Sequence, residues 1–278
     1  MDRQLMSTTG LQQTKDKRVI GRIREILSVI SVLPILIPIW IIFSILSPIF
    51  FSLRNAQTLM AATAVVAVAA IGETLVLITA GIDLSVASVA ACAGVIAAYV
   101  MGPEGNPLIG LLISLSIGMV FGLFNGVSVA YLGLTPFILT LGSHLVARGI
   151  AFSVSEGISL AVPQPIRLFG STQWLDVPAI AVVAIVLMIL FGIILSKTTW
   201  GRHVFLVGAN PSAADYVGIR RKAVIFSVYL ISGMLSGLAG FLAIANLGAA
   251  LPGVGDKILL LIVGGVILGG TSMFGGIG

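Results

Sequence analysis

The sequence predicts an all-α, polytopic membrane helix bundle with about eight transmembrane segments, and three observations predict it. Charged residues make up 9% of the 278-residue chain, against about 25% in soluble domains. Hydrophobic types reach 58% and the mean hydropathy is +1.16. A soluble chain of this length still needs a polar skin, and too few polar side chains exist to make one, so lipid must be part of the solvent. The apolar residues also fall in separate stretches, most of them near the ~20 residues that a helix needs to cross hydrocarbon.

Residues 1–25 are polar and hold Arg3, Lys15, Lys17, Arg18, Arg22 and Arg24, which reads as a cytoplasmic N-terminal arm. The first apolar run, 26–53, is too long for a signal-peptide core and lacks an Ala-x-Ala cleavage pattern. It predicts an uncleaved spanning helix. Further runs follow at about 57–80, 86–101, 107–131, 134–154 and 178–196, of which only 86–101 is short. Six crossings return the chain to the cytoplasm at a second basic cluster, Lys197, Arg202, Arg220, Arg221 and Lys222, as the positive-inside rule requires. The polar stretch 155–177 then falls on the outer side. Two more runs, 223–248 and 258–278, complete one transmembrane domain over 26–278, with 197–222 as its main cytoplasmic loop. The last run has no basic anchor after it and carries Gly264, Gly265, Gly269 and Gly270, which weaken an isolated helix. It is expected to be the least well-held part, with Gly275–Gly278 frayed.

Several function classes are excluded. The basic residues flank apolar spans and are not interleaved with base-reading polar groups, so nucleic acid is not a partner. There is no G-x-x-x-x-G-K-[ST] phosphate loop and no H-E-x-x-H; the histidines are His144 and His203 alone. Cys92 is the single cysteine, so no disulfide framework or Cys-based zinc site exists. No metal and no cofactor is implied. Glycines four apart, Gly118/Gly122/Gly126, Gly233/Gly237 and Gly265/Gly269, predict close helix–helix packing in lipid.

The residues that could carry chemistry are few. In Thr79-Ala80-Gly81-Ile82-Asp83-Leu84-Ser85-Val86, a carboxylate lies between two apolar runs. Gly81 can release the helix, and Asp83 and Ser85 can satisfy the free N–H groups of a new helix start. The alternative is a broken helix lining a translocation path. Glu73 lies inside an apolar stretch, as either an intramembrane relay or a packing partner. Thr135-Pro136 begins a span, with Pro136 in the first turn. Glu73, Asp83, Ser85, Asn125, Thr135 and Thr140 are the candidates for polar groups along a path. In the basic loop, Asn210 can cap a helix begun by Pro211 and ended by Gly218. That two-turn helix, with small residues Ala213 and Ala214, suits docking into a groove on a partner.

Together these segments resemble the ribose-type permease subunits of bacterial ABC importers. The matching elements run in order: Gly81 to Val86, Phe124-Asn125-Gly126, Thr135-Pro136-Phe137 through Gly142, Arg148-Gly149, Gly201-Arg202, Gly208 to Ile219, and Gly269-Gly270-Thr271-Ser272. They cover nearly everything from about residue 55 onward. The resemblance implies a transport subunit, not an enzyme, in the bacterial inner membrane with its N-terminus cytoplasmic. It implies three protein partners besides membrane lipid: an ABC ATPase, a periplasmic substrate-binding protein and a second permease subunit, identical or different. The solute would be a sugar or a similar small polar molecule. Gly208, Asn210, Ala213, Ala214, Gly218 and Ile219 look like the coupling helix that sits in a cleft of the ATPase.

Two departures stand out. The family's Tyr-Glu-Leu-Asp pattern is replaced by Ile258-Leu259-Leu260-Leu261. The family also continues beyond Gly-Gly-x-Gly, so a shortened C-terminus is expected. A proton-coupled secondary transporter using Glu73 or Asp83, and an inactive membrane scaffold, are the rival readings.

Overall fold

A computed structural model of the chain describes residues 33–278, with side chains from Leu36 onward. The expected N-terminal arm, 1–25, and the beginning of the first span lie outside the described residues. The chain divides after Asn55 into two units. In the first, α1 (Leu33–Leu46) contains Pro38 and is followed by a turn whose Phe50 stacks on Phe43 of α1 and meets Phe51 edge-on. Asn55 closes that turn, its Nδ2 donating to the Phe50 carbonyl at 2.8 Å.

The remaining helices run in chain order. They are α2 (Leu53–Ile78), α3 (Val86–Met101), α4 (Pro107–Ala130), α5 (Pro136–Ser155), α6 (Gln164–Ser171), α7 (Ala179–Lys197), α8 (Thr199–Ala209), α9 (Pro211–Tyr216), α10 (Arg221–Leu247) and α11 (Val254–Leu268). The all-α class holds: the only strands among the described residues are two-residue pieces. Of these, β1 (Leu160–Ala161) pairs antiparallel with β4 (Ala249–Ala250), and β2 (Gln173–Trp174) with β3 (Val177–Pro178). The β2–β3 turn places Leu175 and Asp176 at positive φ.

Five of these helices, α2, α4, α5, α7 and α10, are long and apolar enough to cross a membrane. Two of the three other apolar segments behind the expected count of about eight form shorter helices, α3 and α11, of 16 and 15 residues; of the first segment, the described residues form α1. At 1.5 Å per residue α3 and α11 reach about 22–24 Å, less than the ~30 Å of a hydrocarbon core.

For α3 the reason is its place. From Val86 to Ala98 every residue except Ile96 is buried, because α4, α5, α10 and α11 all pack around it. A helix that is apolar all round is a core helix. Small side chains let the others close in: a Cβ at Gly240 would collide with the Ala90 carbonyl, and one at Gly94 would lie 2.8 Å from Ile244.

The expected glycine seam joins α4 to α10. An added Cβ on Gly118 would strike the Gly233 carbonyl, and one on Gly237 the Ser114 carbonyl. Backbones therefore touch, the arrangement by which helices associate in lipid. Gly265 departs from the expectation, since nothing lies within 4 Å of its would-be Cβ.

The expected fraying of Gly275–Gly278 is not found. The Gly276 N–H donates to the Ile78 carbonyl at 2.9 Å, and the Ser272 N–H to the Ile277 carbonyl at 3.0 Å. The segment reaches that position through positive φ at Gly275 and Gly276. Gly208 packs on the same Ile78 carbonyl so closely that no side chain would fit. The end of α2 is thus a meeting point of three distant stretches of sequence.

Candidate functional site

The link between α2 and α3 is where the polar residues gather. The last turn of α2 closes through N–H bonds from Thr79 and Gly81 to the Val76 carbonyl and from Ala80 to the Leu77 carbonyl. The left-handed residue is Ala80, at φ 60°, and not Gly81. Gly81 is needed for a different reason: a Cβ there would sit 2.7 Å from the Tyr229 hydroxyl of α10.

Between the two helices the backbone N–H groups of Asp83, Leu84 and Ser85 each find a side-chain acceptor. Buried N–H groups without partners are costly, and each of these three is taken by a different residue. Asp83 N–H donates to Glu73 Oε1 at 3.3 Å, Leu84 N–H to Thr140 Oγ1 at 3.1 Å, and Ser85 N–H to Asp83 Oδ1 at 3.0 Å. The hydroxyl of Ser85 also donates to Asp83 Oδ1, at 2.5 Å, and accepts from Asn125 Nδ2 at 3.0 Å. Ser143 donates to Asn125 Oδ1 at 2.6 Å, and Ser232 to Asp83 Oδ2 at 3.3 Å. Four helices thus meet in one polar cluster: α2, α4, α5 and α10.

Five of the six expected path residues are brought together: Glu73, Asp83, Ser85, Asn125 and Thr140. All are at most 2% exposed, so in this conformation none faces an open passage. Thr135 stands apart. It is exposed at the start of α5, makes no side-chain cap bond, and lines an apolar groove of about 720 Å³ with Phe121, Phe124 and Ile138.

The expected double cap is half met. Asp83 accepts from a free N–H, but the Ser85 side chain makes no cap bond and bridges Asp83 to Asn125 instead.

Sequence reasoning missed Ser143, Ser232, Ser88, His144 and Tyr229. His144 Nδ1 lies 2.9 Å from Ser88 Oγ and 3.1 Å from the Leu84 carbonyl. Ser143 was findable: Thr140, Ser143, Ala147, Ala151 and Ser155 are small residues at helical spacing, and they form the buried face of α5. Two buried oxygens in the cluster have no hydrogen-bond partner, Glu73 Oε2 and Tyr229 Oη. Among the described residues, no group of three or more His, Cys, Asp or Glu could hold a metal ion.

The basic loop is more structured than its charge suggests, being α8 and α9 back to back. Asn210 caps α9 as expected, its Oδ1 accepting from Ala213 N–H at 2.9 Å. Gly218, at φ 77°, turns the chain out of the helix, and the Ile219 N–H returns to the Ala214 carbonyl at 3.0 Å.

Ala214 is fully buried in a cluster with Leu75, Val76, Ile78, Val204 and Tyr229. Gly208 is buried as well, while Asn210, Tyr216, Val217 and Gly218 are exposed. The loop's inner face is therefore packed against the end of α2. Its outer face shows Tyr216 and Val217 beside Arg220 and Lys222.

Residues 55–277 match the family described as the permease component of branched-chain amino acid transport systems. Three curated relatives are sugar permeases. A fructose import permease of Bifidobacterium longum is 37% identical over 229 residues, 80% of this chain and 62% of the relative. The ribose import permease of Escherichia coli is 35% identical over 245 residues, 85% of this chain and 75% of the relative. The D-allose transport permease of Escherichia coli is 34% identical over 248 residues, 85% of this chain and 74% of the relative. The chain thus spans about three fifths to three quarters of these relatives. No solved structure matches it.

Proposed function

The chain belongs to the family of branched-chain amino acid transport system permease components, and from that premise we propose that it is the membrane subunit of an ATP-driven sugar importer. It is a transport subunit and not an enzyme. Its solute is a monosaccharide or a similar small polar molecule, as the names of the fructose, ribose and allose permeases suggest. Its partners are an ABC ATPase, a periplasmic substrate-binding protein and a second permease subunit. It sits in the bacterial inner membrane with the N-terminus and the 197–222 loop in the cytoplasm.

The observation that carries this reading is the packing of α9. Ala214 on the inner face of α9 shares one apolar cluster with Ile78 and Tyr229, and the Tyr229 hydroxyl abuts Gly81 in the α2–α3 break. A partner that grips exposed Tyr216 and Val217 therefore pushes, through side chains in contact, on the polar cluster around Asp83. Closure of two ATPases would move two such α9 helices together, and interfaces packed this closely switch between discrete states and do not bend gradually. Gly208, Asn210, Ala213, Ala214, Gly218 and Ile219 are the coupling element. Glu73, Asp83, Ser85, Asn125 and Thr140 are the polar groups that the moving helices would uncover along the path, with Thr135 at its edge.

The test is uptake in proteoliposomes holding the chain, its ATPase and its binding protein. Gly218→Pro removes the positive φ that ends α9, because proline is fixed near −65°. The variant should enter the membrane and allow ATP hydrolysis while uptake falls at least tenfold. Normal uptake would remove the coupling assignment.

A proton-driven carrier has one observation in its favour, the adjacency of Glu73 and Asp83 with neither in an ion pair among the described residues. Uptake driven by a pH gradient without ATP would select it.

A further inference from the structure

The basic loop leaves a pocket against the first turns of α10. It measures about 510 Å³ and is walled by Trp200 and His203 of α8, by Arg220, and by Ala223, Val224 and Ser227 of α10. A second pocket, of about 460 Å³, shares Arg220 and Ala223 with it and adds Tyr131, Arg221 and Lys222. Trp200 is pinned in place, its Nε1 donating to Ser227 Oγ at 2.9 Å. Among the described residues, the Arg220 side chain has no ion-pair partner. The one acid in either wall, Asp215, lies 3.8 Å from Arg221, so the charges of Arg220 and Lys222 are left over.

The ends of two spans fix the level of these pockets. Helix α7 ends at Lys197, three residues before Trp200, and its 19 residues reach about 28 Å, close to the ~30 Å of hydrocarbon. Helix α10 begins at Arg221, and Ser227 lies about 9 Å further along it. The wall is therefore basic at the membrane boundary and largely apolar one to two turns inside it. Helix α7 also lies at the edge of the bundle, since Ile185, Val186, Ile189, Leu190 and Ile193 are all exposed. Lipid thus reaches the side on which α8, packed against α7, leaves the membrane.

A guanidinium without a partner suits a phosphodiester, and an indole suits the level just beneath it. The apolar floor would serve acyl chains and would be idle under a free anion. We propose that this pocket binds the headgroup of an anionic phospholipid, with Arg220 on the phosphate and Trp200 against the glycerol and the first acyl carbons. The proposal rests on α7 and α10 crossing the membrane and not on transport, so its test gives an answer even for a chain that carries no sugar.

The test reads the fluorescence of Trp200 in the full chain. Trp40→Phe and Trp174→Phe, both at exposed positions, leave it as the single tryptophan. The protein is placed in phosphatidylcholine vesicles doped with a small fraction of phosphatidylglycerol brominated near the headgroup, or with the same fraction of equally brominated phosphatidylcholine. Quenching by the brominated phosphatidylglycerol should be several-fold stronger. Arg220→Gln should reduce it to the phosphatidylcholine level, whereas Arg202→Gln, an exposed basic residue of α8 outside both pockets, should leave most of the preference.

Equal quenching by the two lipids would overturn the proposal. Equal losses in the two arginine variants would do so as well, by showing diffuse attraction to a charged surface. Relief of the preference by inorganic phosphate at constant ionic strength would make the pocket a site for a soluble anion. Loss of the preference on adding the ATPase of the proposed complex would give the pocket to that protein. Either of these also overturns it.

Discussion

Asn125, on α4, donates its Nδ2 to the Ser85 hydroxyl at 3.0 Å while its Oδ1 accepts from Ser143 at 2.6 Å. One amide therefore joins the α2–α3 break to α5, and both of its ends are occupied. Asn125→Ala leaves Ser85 and Ser143 facing a void with polar atoms unpaired, at a cost of about 1–3 kcal/mol. The thermal midpoint of the detergent-purified protein should fall by several degrees. An unchanged midpoint would mean that the amide is dispensable.

Asp83 is to be separated into shape and charge. Asp83→Asn keeps the Oδ1 acceptor for the Ser85 N–H and hydroxyl, and Ser232 can rotate to accept from the new NH₂. Stability within about 1 kcal/mol of the parent is expected, whereas Asp83→Ala strands the Ser85 N–H and should lose about 2–3 kcal/mol. Denaturation of both variants in parallel checks the order. If Asp83→Asn proves as damaging as Asp83→Ala, the cluster needs the charge.

The glycines should fall into two classes. Gly118→Ala drives a methyl into the Gly233 carbonyl and should destabilise by about 1–3 kcal/mol. Gly142 lies in α5 with nothing near its would-be Cβ, so Gly142→Ala should stabilise by up to about 1 kcal/mol through helix propensity. Midpoints moving in opposite directions are the expected result; equal losses would contradict the packing described for α4 and α10.

Asn210→Ala removes the cap on α9 and should cost about 1 kcal/mol. The effect is local, so it is best read by hydrogen exchange. The amides of Ala213 and Ala214, bonded to the Asn210 side chain and carbonyl, should exchange about fivefold faster. The amides of α3 should not change. Unaltered exchange at Ala213 would show that α9 holds without its cap.

Some of this was legible in the amino acids. Polar residues stranded in apolar runs pointed to the cluster, because in lipid such groups must find one another. The Asn210-Pro211 start and Gly218 stop of α9 were local chemistry, and local chemistry reads directly. What stayed hidden depended on neighbours far away in sequence. Thr135 and Thr140 share one short segment, yet one is exposed and the other fully buried, since that is decided by which face of α5 meets α3. The need for Gly81 lay in Tyr229, some 150 residues on. The segment of α3 read as a short span because nothing in its own residues announced that four helices surround it. Gly275 and Gly276 read as loose ends when they are a clasp.

That clasp sets a timetable for synthesis. A ribosome adding about 5–20 residues per second finishes α2 roughly 10–40 s before Gly276 exists to take the Ile78 carbonyl. Through that interval the last turn of α2 lacks the partner of its Ile78 carbonyl. Slowed translation of the codons between α2 and Gly276 would lengthen the wait.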